Sequence, residues 1–194
     1  MTPFCSVEGR AYPLGRNNVD TDTIIAAQHL KTISRTGLGR HAFEALRGEP
    51  GNVFDDPVYS EAPILIAGDN FGCGSSREHA AWALADMGVR AIVASSFSDI
   101  FSANAYKNGI LAVALERRAV NRLMELAREE VIAVDLETMK VTAPGACFSF
   151  ELDPFRRQCL LGGLDEIAVI LLSEPAIRAY EERIGCVPPR RATS

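Results

Sequence analysis

The chain has 194 residues, of which 47% are hydrophobic, and its formal net charge is −5. These values are ordinary for one soluble globular domain, and the acidic balance argues against nucleic acid as a partner. No apolar run approaches the roughly 20 residues of a membrane-spanning helix, and the N-terminus lacks the basic and apolar regions of a secretory signal. We therefore expect neither a membrane-bound nor a secreted protein.

The first sixty residues are rich in Gly, Arg and Asp, which is typical of loops. Strand and helix patterns alternate after them. Strands are predicted at 62–67, 89–94, 110–113, 131–136, 140–143 and 147–152. Helices are predicted at 80–87, 97–107 and 118–130, with two more beginning at 153 and 173. This order indicates a single α/β domain over 1–194, with a mixed sheet flanked by helices, and a mobile tail at 188–194.

The most informative segment is the glycine-rich turn Gly-Cys-Gly-Ser-Ser-Arg-Glu-His at 72–79, between a predicted strand and a predicted helix. Such a turn brings backbone N–H groups to the positive end of a helix dipole, which favours an anion. The turn also contains Ser75, Ser76 and Arg77. A guanidinium makes a planar two-point contact with a carboxylate, so a carboxylate ligand is indicated. A structural alternative stays open, in which a serine only caps the helix.

The cysteines indicate a reducing cytoplasm. Their number is odd, and no two of them form a Cys-x-x-Cys pair. They are Cys5, Cys73, Cys147, Cys159 and Cys186. This pattern argues against a disulfide framework, and against a metal or cluster site built by this chain alone. His29 and His41 are isolated along the sequence, as surface or structural histidines usually are. We therefore expect no metal ligands in this chain.

The segment 74–80, Gly-Ser-Ser-Arg-Glu-His-Ala, resembles the signature of the swivelling domain of the aconitase superfamily. Blocks at 18–25, 35–37, 96–101, 107–109, 155–157 and 163–165 resemble the small subunits of bacterial 3-isopropylmalate dehydratases. Together they extend over nearly the whole chain, so the resemblance is far more specific than one short motif. It implies the swivelling β/β/α fold and a two-subunit hydro-lyase of leucine biosynthesis. That enzyme interconverts 2-isopropylmalate and 3-isopropylmalate by dehydration and rehydration.

The resemblance also implies roles for individual residues. Ser75 would be the catalytic base, acting as an alkoxide, and Arg77 would bind a carboxylate of the small dicarboxylic hydroxy-acid substrate. Ser76 would help to bind that substrate or would cap the helix. Thr21-Asp22 with Arg35 forms a second cluster that the resemblance places near the site, with Asp22 and Arg35 as further substrate-binding residues.

Glu78 and His79 lie at the helix start, where we expect them to brace the turn by hydrogen bonds rather than to touch substrate. The reaction also needs a Lewis acid to take the leaving hydroxide, and this chain has no evident ligand set for one. The resemblance implies that a large subunit carries it as a 4Fe–4S cluster.

Departures from the family pattern leave the substrate open. Ala26-Ala27 stand where a proline is usual, His29 stands where an aromatic residue is common, and the segment 48–61 is short. The first alternative is a small subunit for another 2-substituted malate, of the citramalate or homoaconitate type. A second is a non-catalytic module that binds small carboxylates. A third is a stand-alone hydrolase with Ser75 as nucleophile, although no Gly-x-Ser-x-Gly elbow frames that serine.

Overall fold

The protein is an α/β structure with two four-stranded sheets, seen in a computed structural model that describes residues 1–75 and 77–185. The first sheet is parallel, with strands in the order β2-β3-β4-β5. Its strands are β2 (Ala11–Pro13), β3 (Ile64–Ile66), β4 (Ala91–Ala94) and β5 (Leu111–Ala114). β3 and β4 are buried at every residue, as expected for a parallel sheet covered on both faces.

The second sheet is antiparallel and has the order β1-β6-β7-β8. Its strands are β1 (Ser6–Gly9), β6 (Ile132–Asp135), β7 (Lys140–Ala143) and β8 (Ala146–Ser149). β6 alternates between buried and half-buried residues, so one of its faces packs on the core. The turn between β7 and β8 contains Gly145 at φ +70°, a left-handed conformation that favours glycine.

Eight α-helices and three short 3₁₀ turns complete the described residues. The helices are α1 (Thr21–Ile24), α2 (Glu44–Arg47), α3 (Glu78–Asp86), α4 (Asp99–Lys107), α5 (Arg117–Leu126), α6 (Pro154–Gly162), α7 (Glu166–Leu172) and α8 (Glu174–Arg183). The 3₁₀ turns are Ala27–His29, Gly39–His41 and Pro57–Tyr59. α6 begins as predicted, with Asp153 accepting a hydrogen bond from Arg156 N at 3.0 Å and Pro154 in the first turn. No helix among these is long and apolar enough to cross a membrane.

The parallel sheet separates two hydrophobic clusters. Because successive side chains of a strand point to opposite faces, Leu65 and Ile92 pack with residues of α3 and α4. Ile64, Ile66 and Val93 pack on the other side, with residues of α5 and the antiparallel sheet. β3 and β4 therefore contribute to both clusters.

The structure confirms the α/β class expected from the sequence but divides the strands between two sheets rather than one mixed sheet. The apolar strands at the centre of the chain pair in parallel through helical crossovers, whereas β6, β7 and β8 are joined by short turns that allow only antiparallel pairing. β1 and β2 were not predicted. The expected mobile tail at 188–194 lies outside the described residues.

Candidate functional site

The glycine-rich turn lies between β3 and α3, on the crossover that leads from β3 to its parallel neighbour β4. In open α/β sheets such strand-to-helix connections form ligand sites at the carboxyl ends of the strands. An isolated parallel bridge joins Phe71 to Phe97, at the start of the connection from β4 to α4. The turn thus rests against the neighbouring strand-to-helix connection.

Two glycines shape this turn. Gly72 and Gly74 have φ values of +75° and +86°, in the left-handed region. A Cβ on Gly72 would lie 2.1 Å from Cγ of Phe101 in α4, so no side chain fits there. Gly72 therefore allows the turn to pack directly on α4.

The segment that precedes α1 lies alongside the turn and holds its backbone. Gly72 N donates to Val19 O at 2.7 Å, and Thr21 N donates to Cys73 O at 3.0 Å. The Thr21 hydroxyl donates to Ser75 O at 2.9 Å. Thr21 is only 2% exposed. Among the described residues it is the polar residue that is buried with the hydrophobic core. These three bonds fix the position of the Ser75 backbone.

Ser75 itself is exposed and lies two residues before Arg77, which is the N-cap residue of α3. Within the described residues, no hydrogen bond joins the Ser75 hydroxyl to the helix start. The capping role that the sequence left open therefore does not apply to Ser75. Ser76, the other candidate, lies outside the described residues.

Arg77 forms an ion pair with Asp22, through its Nη1 atom and Asp22 Oδ1. The Arg77 side chain is 21% exposed and that of Asp22 is 52% exposed. The adjacent Asp20 caps α1 by accepting from Thr23 N at 2.7 Å. Hydrogen bonding from Thr23 is the main cause that lowers the pKa of the Asp20 carboxyl, and the charge of Arg77 adds to it. The turn and the start of α1 therefore form one charged patch.

Glu78 and His79 have protein partners, in agreement with the bracing role expected for them. Glu78 Oε1 accepts from Trp82 Nε1 at 3.1 Å and from Asn108 Nδ2 at 3.2 Å. The Nε2 atom of His79 lies 3.0 Å from Thr32 O, which ties the loop before Arg35 to the start of α3.

Arg35 contacts the helix that follows the turn. Its guanidinium carbon lies 5.1 Å from the ring centroid of Trp82, and its Nη2 atom lies 3.9 Å from Glu78 Oε1. The arginine is largely exposed. The structure therefore pairs Arg77 with Asp22, holds the Ser75 backbone against Thr21, and places Arg35 beside α3.

Two contacts at the site were not predicted from the sequence. The resemblance placed Thr21 near the site, but nothing in the sequence indicated that its hydroxyl supports Ser75, 54 residues away. Asn108 ends α4 as its C-cap residue, and its side chain also donates to Glu78 Oε1. Both contacts depend on tertiary packing.

Comparison with known proteins decides the family. Residues 1–118 match the family model described as Aconitase C-terminal domain. A 3-isopropylmalate dehydratase small subunit of Novosphingobium aromaticivorans is 60% identical over 185 residues, which cover 95% of this chain and 92% of the relative. The small subunit of Zymomonas mobilis is 59% identical over 184 residues, covering 94% and 96%. The chain belongs to the 3-isopropylmalate dehydratase small-subunit family.

A solved structure supports the same family. The crystal structure of 3-isopropylmalate dehydratase (leuD) from Methanocaldococcus jannaschii superposes with a TM-score of 0.67 at 26% identity. The match covers 91% of this chain and 99% of that one. The swivelling fold implied by the segment 74–80 is thereby confirmed.

Proposed function

We infer that the chain is the small subunit of a two-subunit 3-isopropylmalate dehydratase of leucine biosynthesis. The enzyme interconverts 2-isopropylmalate and 3-isopropylmalate by dehydration and rehydration. The observation that carries this inference is the near-full-length similarity to small subunits of that name. The exposed Ser75 beside the Arg77–Asp22 pair agrees with it, because the reaction needs a base and a carboxylate ligand.

Ser75 acts in this proposal as the base that removes a proton next to a substrate carboxylate. An alkoxide is costly in water, so it needs positive charge nearby. The N-terminus of α3 and the guanidinium of Arg77 supply that charge. The bond from Thr21 to Ser75 O holds the residue in place without occupying its hydroxyl.

Arg77 binds one substrate carboxylate in this proposal, and Ser76 adds a hydroxyl contact. Asp22 was expected to bind substrate as well, but its carboxylate would repel an anionic ligand, and its observed partner is Arg77. We therefore assign Asp22 to positioning the guanidinium. Arg35 is the candidate for the far end of the substrate, because it lies on an exposed loop beside α3.

In this proposal a 4Fe–4S cluster of the large subunit would supply the Lewis acid for the leaving hydroxide. The four cysteines within the described residues do not fit such a group. They are free thiols, and none of them belongs to a potential metal-binding group there. Free thiols also fit the cytoplasmic location that we expect.

The surface of α7 supports the need for a protein partner. Four large aliphatic side chains of this seven-residue helix are more than half exposed: Ile167, Ile170, Leu171 and Leu172. Contiguous apolar surface of this kind commonly marks a contact with another protein.

Anaerobic co-expression with a cluster-bearing large subunit tests the function. The purified complex is assayed against a panel of 2-substituted malates, and the isolated chain is assayed in parallel. We expect the complex to turn over 2-isopropylmalate with the highest kcat/KM and the isolated chain to be inactive.

Three results would contradict the proposal. Preference for citramalate or a homoaconitate-type substrate would reassign the substrate within the same reaction class. Dehydration by the isolated chain in metal-free buffer would instead support a stand-alone enzyme. A complex that binds the malates without turnover would favour the non-catalytic binding module.

A further inference from the structure

The fold gathers two histidines and a glutamate that are isolated in the sequence. His29 ends the 3₁₀ turn Ala27–His29, His41 ends the turn Gly39–His41, and Glu44 begins α2. One ligand atom from each lies within 4.8 Å of the other two. The imidazole rings are stacked, with centroids 3.9 Å apart and planes inclined by 19°.

Polar contacts already engage each member of this trio. His29 Nε2 lies 2.7 Å from Glu44 Oε2, and Gln28 Nε2 lies 3.4 Å from the same oxygen and 3.2 Å from His29 Nε2. Arg40 Nε donates to His41 Nε2 at 3.1 Å, so that nitrogen is the lone-pair acceptor of its ring. An imidazole nitrogen with a lone pair is the form that binds a metal.

We propose that His29, His41 and Glu44 form a binding site for a divalent transition-metal ion of the zinc class. Two imidazoles and a carboxylate are a common protein ligand set for zinc, whereas magnesium and calcium prefer oxygen ligands alone. Ligand atoms around a tetrahedral zinc ion lie about 3.3 Å apart, from metal–ligand distances of about 2.0–2.2 Å. The ligand atoms, which lie within 4.8 Å of one another, must therefore draw closer when the ion binds. A water molecule takes the fourth position.

Exposure and charge are compatible with metal entry. The Glu44 side chain is 49% exposed, which opens a path from solvent, and the His29 side chain is 17% exposed. The guanidinium of Arg40 opposes a cation and must leave His41 when the metal binds. Arg40 is exposed, so its side chain can move into solvent.

The position of the site gives it a structural role. His29 and His41 lie at the two ends of the segment 30–40, which contains Arg35 and is mostly exposed. A metal ion bound to both histidines would join these ends and restrict the segment. None of Ser75, Arg77 and Asp22 belongs to the trio, so the proposal does not depend on the proposed catalysis.

Titration of the full chain with Co²⁺ and Zn²⁺ tests the proposal, by calorimetry and by the visible spectrum of bound Co²⁺. The exposed thiols Cys5 and Cys147 are replaced by serine in the background protein to remove competing ligands. We expect one ion per chain, a tetrahedral Co²⁺ spectrum without a thiolate charge-transfer band, and a melting temperature that rises with metal concentration.

Variants assign the ligands. His29→Gln and His41→Gln should each weaken binding by at least about tenfold, since loss even of a residue that only supports a ligand costs 10- to 100-fold. Glu44→Gln should also weaken it, and Arg40→Ala should strengthen it. His79, the third histidine of the chain, is retained throughout, and circular dichroism checks folding.

The site is disproved if the chain binds no Co²⁺ or Zn²⁺, or if both histidine variants bind as tightly as the background protein. A thiolate band in the Co²⁺ spectrum would also overturn it, because the ion would then lie on a remaining cysteine.

Discussion

Ser75 and Arg77 are assigned to different steps, so substitutions should separate them. In the assembled enzyme, Ser75→Ala removes the base and leaves the carboxylate ligand. We expect kcat to fall by about 10²–10⁴ with little change in KM. Steady-state kinetics per folded complex measure this. Ser149→Ala, at an exposed serine of β8, is the matched control and should retain full activity. Near-normal turnover of Ser75→Ala would remove Ser75 from the catalytic role.

The pair of Arg77 and Asp22 gives a second residue-scale prediction. Arg77→Lys keeps the charge but loses the planar two-point contact, so KM should rise clearly. Asp22→Asn removes the charge that holds the guanidinium, so KM should rise by a smaller factor while kcat changes little. Asp22→Glu should recover part of the loss. If Asp22→Asn lowers KM instead, Asp22 competes with the substrate and does not position Arg77.

The lowered pKa of the Asp20 carboxyl predicts that the free energy of unfolding depends on pH. Its folded pKa is lowered, chiefly by hydrogen bonding from Thr23, so its ionised form stabilises the folded state above the unfolded pKa of about 3.9. That contribution is lost as the pH falls through the folded pKa. Asn remains a good N-cap but does not titrate. Urea unfolding of Asp20→Asn should therefore show a smaller loss of stability between about pH 5 and pH 3 than the parent.

Thr23→Val is the companion variant for this test. It removes the hydroxyl that contributes most to the lowered pKa of Asp20, so it should reduce the acid loss in the same direction. If the unfolding free energy of Asp20→Asn falls with pH in parallel with that of the parent, other carboxyls account for the acid sensitivity.

Among the elements, the turn before α3 depends most on one residue. Gly72→Ala combines a left-handed conformation, which costs about 1–2 kcal/mol, with a clash against Phe101, which costs about 1–3 kcal/mol. We expect a loss of roughly 2–5 kcal/mol in the free energy of unfolding, by urea denaturation. Gly51→Ala is the control, because Gly51 has φ +73° but no atom within 4 Å of an added Cβ. Equal losses in the two variants would show that packing on α4 adds nothing.

The elements also show how far the sequence could be interpreted. β3, α3 and β4 were predicted because apolar runs and glycines mark their ends. β1 and β2 were missed because they are four and three residues long and pair with strands more than 50 residues away. Likewise, the motif indicated Ser75 and Arg77, whereas nothing in the sequence brings His29, His41 and Glu44 together. Short strands and clusters joined by distant loops depend on the tertiary fold rather than on local patterns.

For the whole molecule, the parallel sheet shared by both hydrophobic clusters predicts one cooperative unfolding transition, as expected for a single domain. Trp82, the sole tryptophan, packs against the hydrophobic cluster that contains residues of α3 and α4. Its fluorescence therefore monitors the unfolding of that cluster. Leu123 is fully buried in the other cluster. Leu123→Ala should cost about 2–5 kcal/mol and lower the Trp82 fluorescence midpoint as much as the circular dichroism midpoint. A fluorescence midpoint that stays unchanged would show two independently folding units.

The parallel bridges around the turn also limit where the chain can change length. Asp20 pairs with Cys73 and Phe71 pairs with Phe97, so three distant stretches are held in one register around Ser75. An inserted or deleted residue between 71 and 77 would shift that register and rotate the serine away from its neighbours. The hairpin at Gly145 has no such constraint, since nothing lies within 4 Å of an added side chain there. Length variation is therefore tolerated at that hairpin and excluded from the turn.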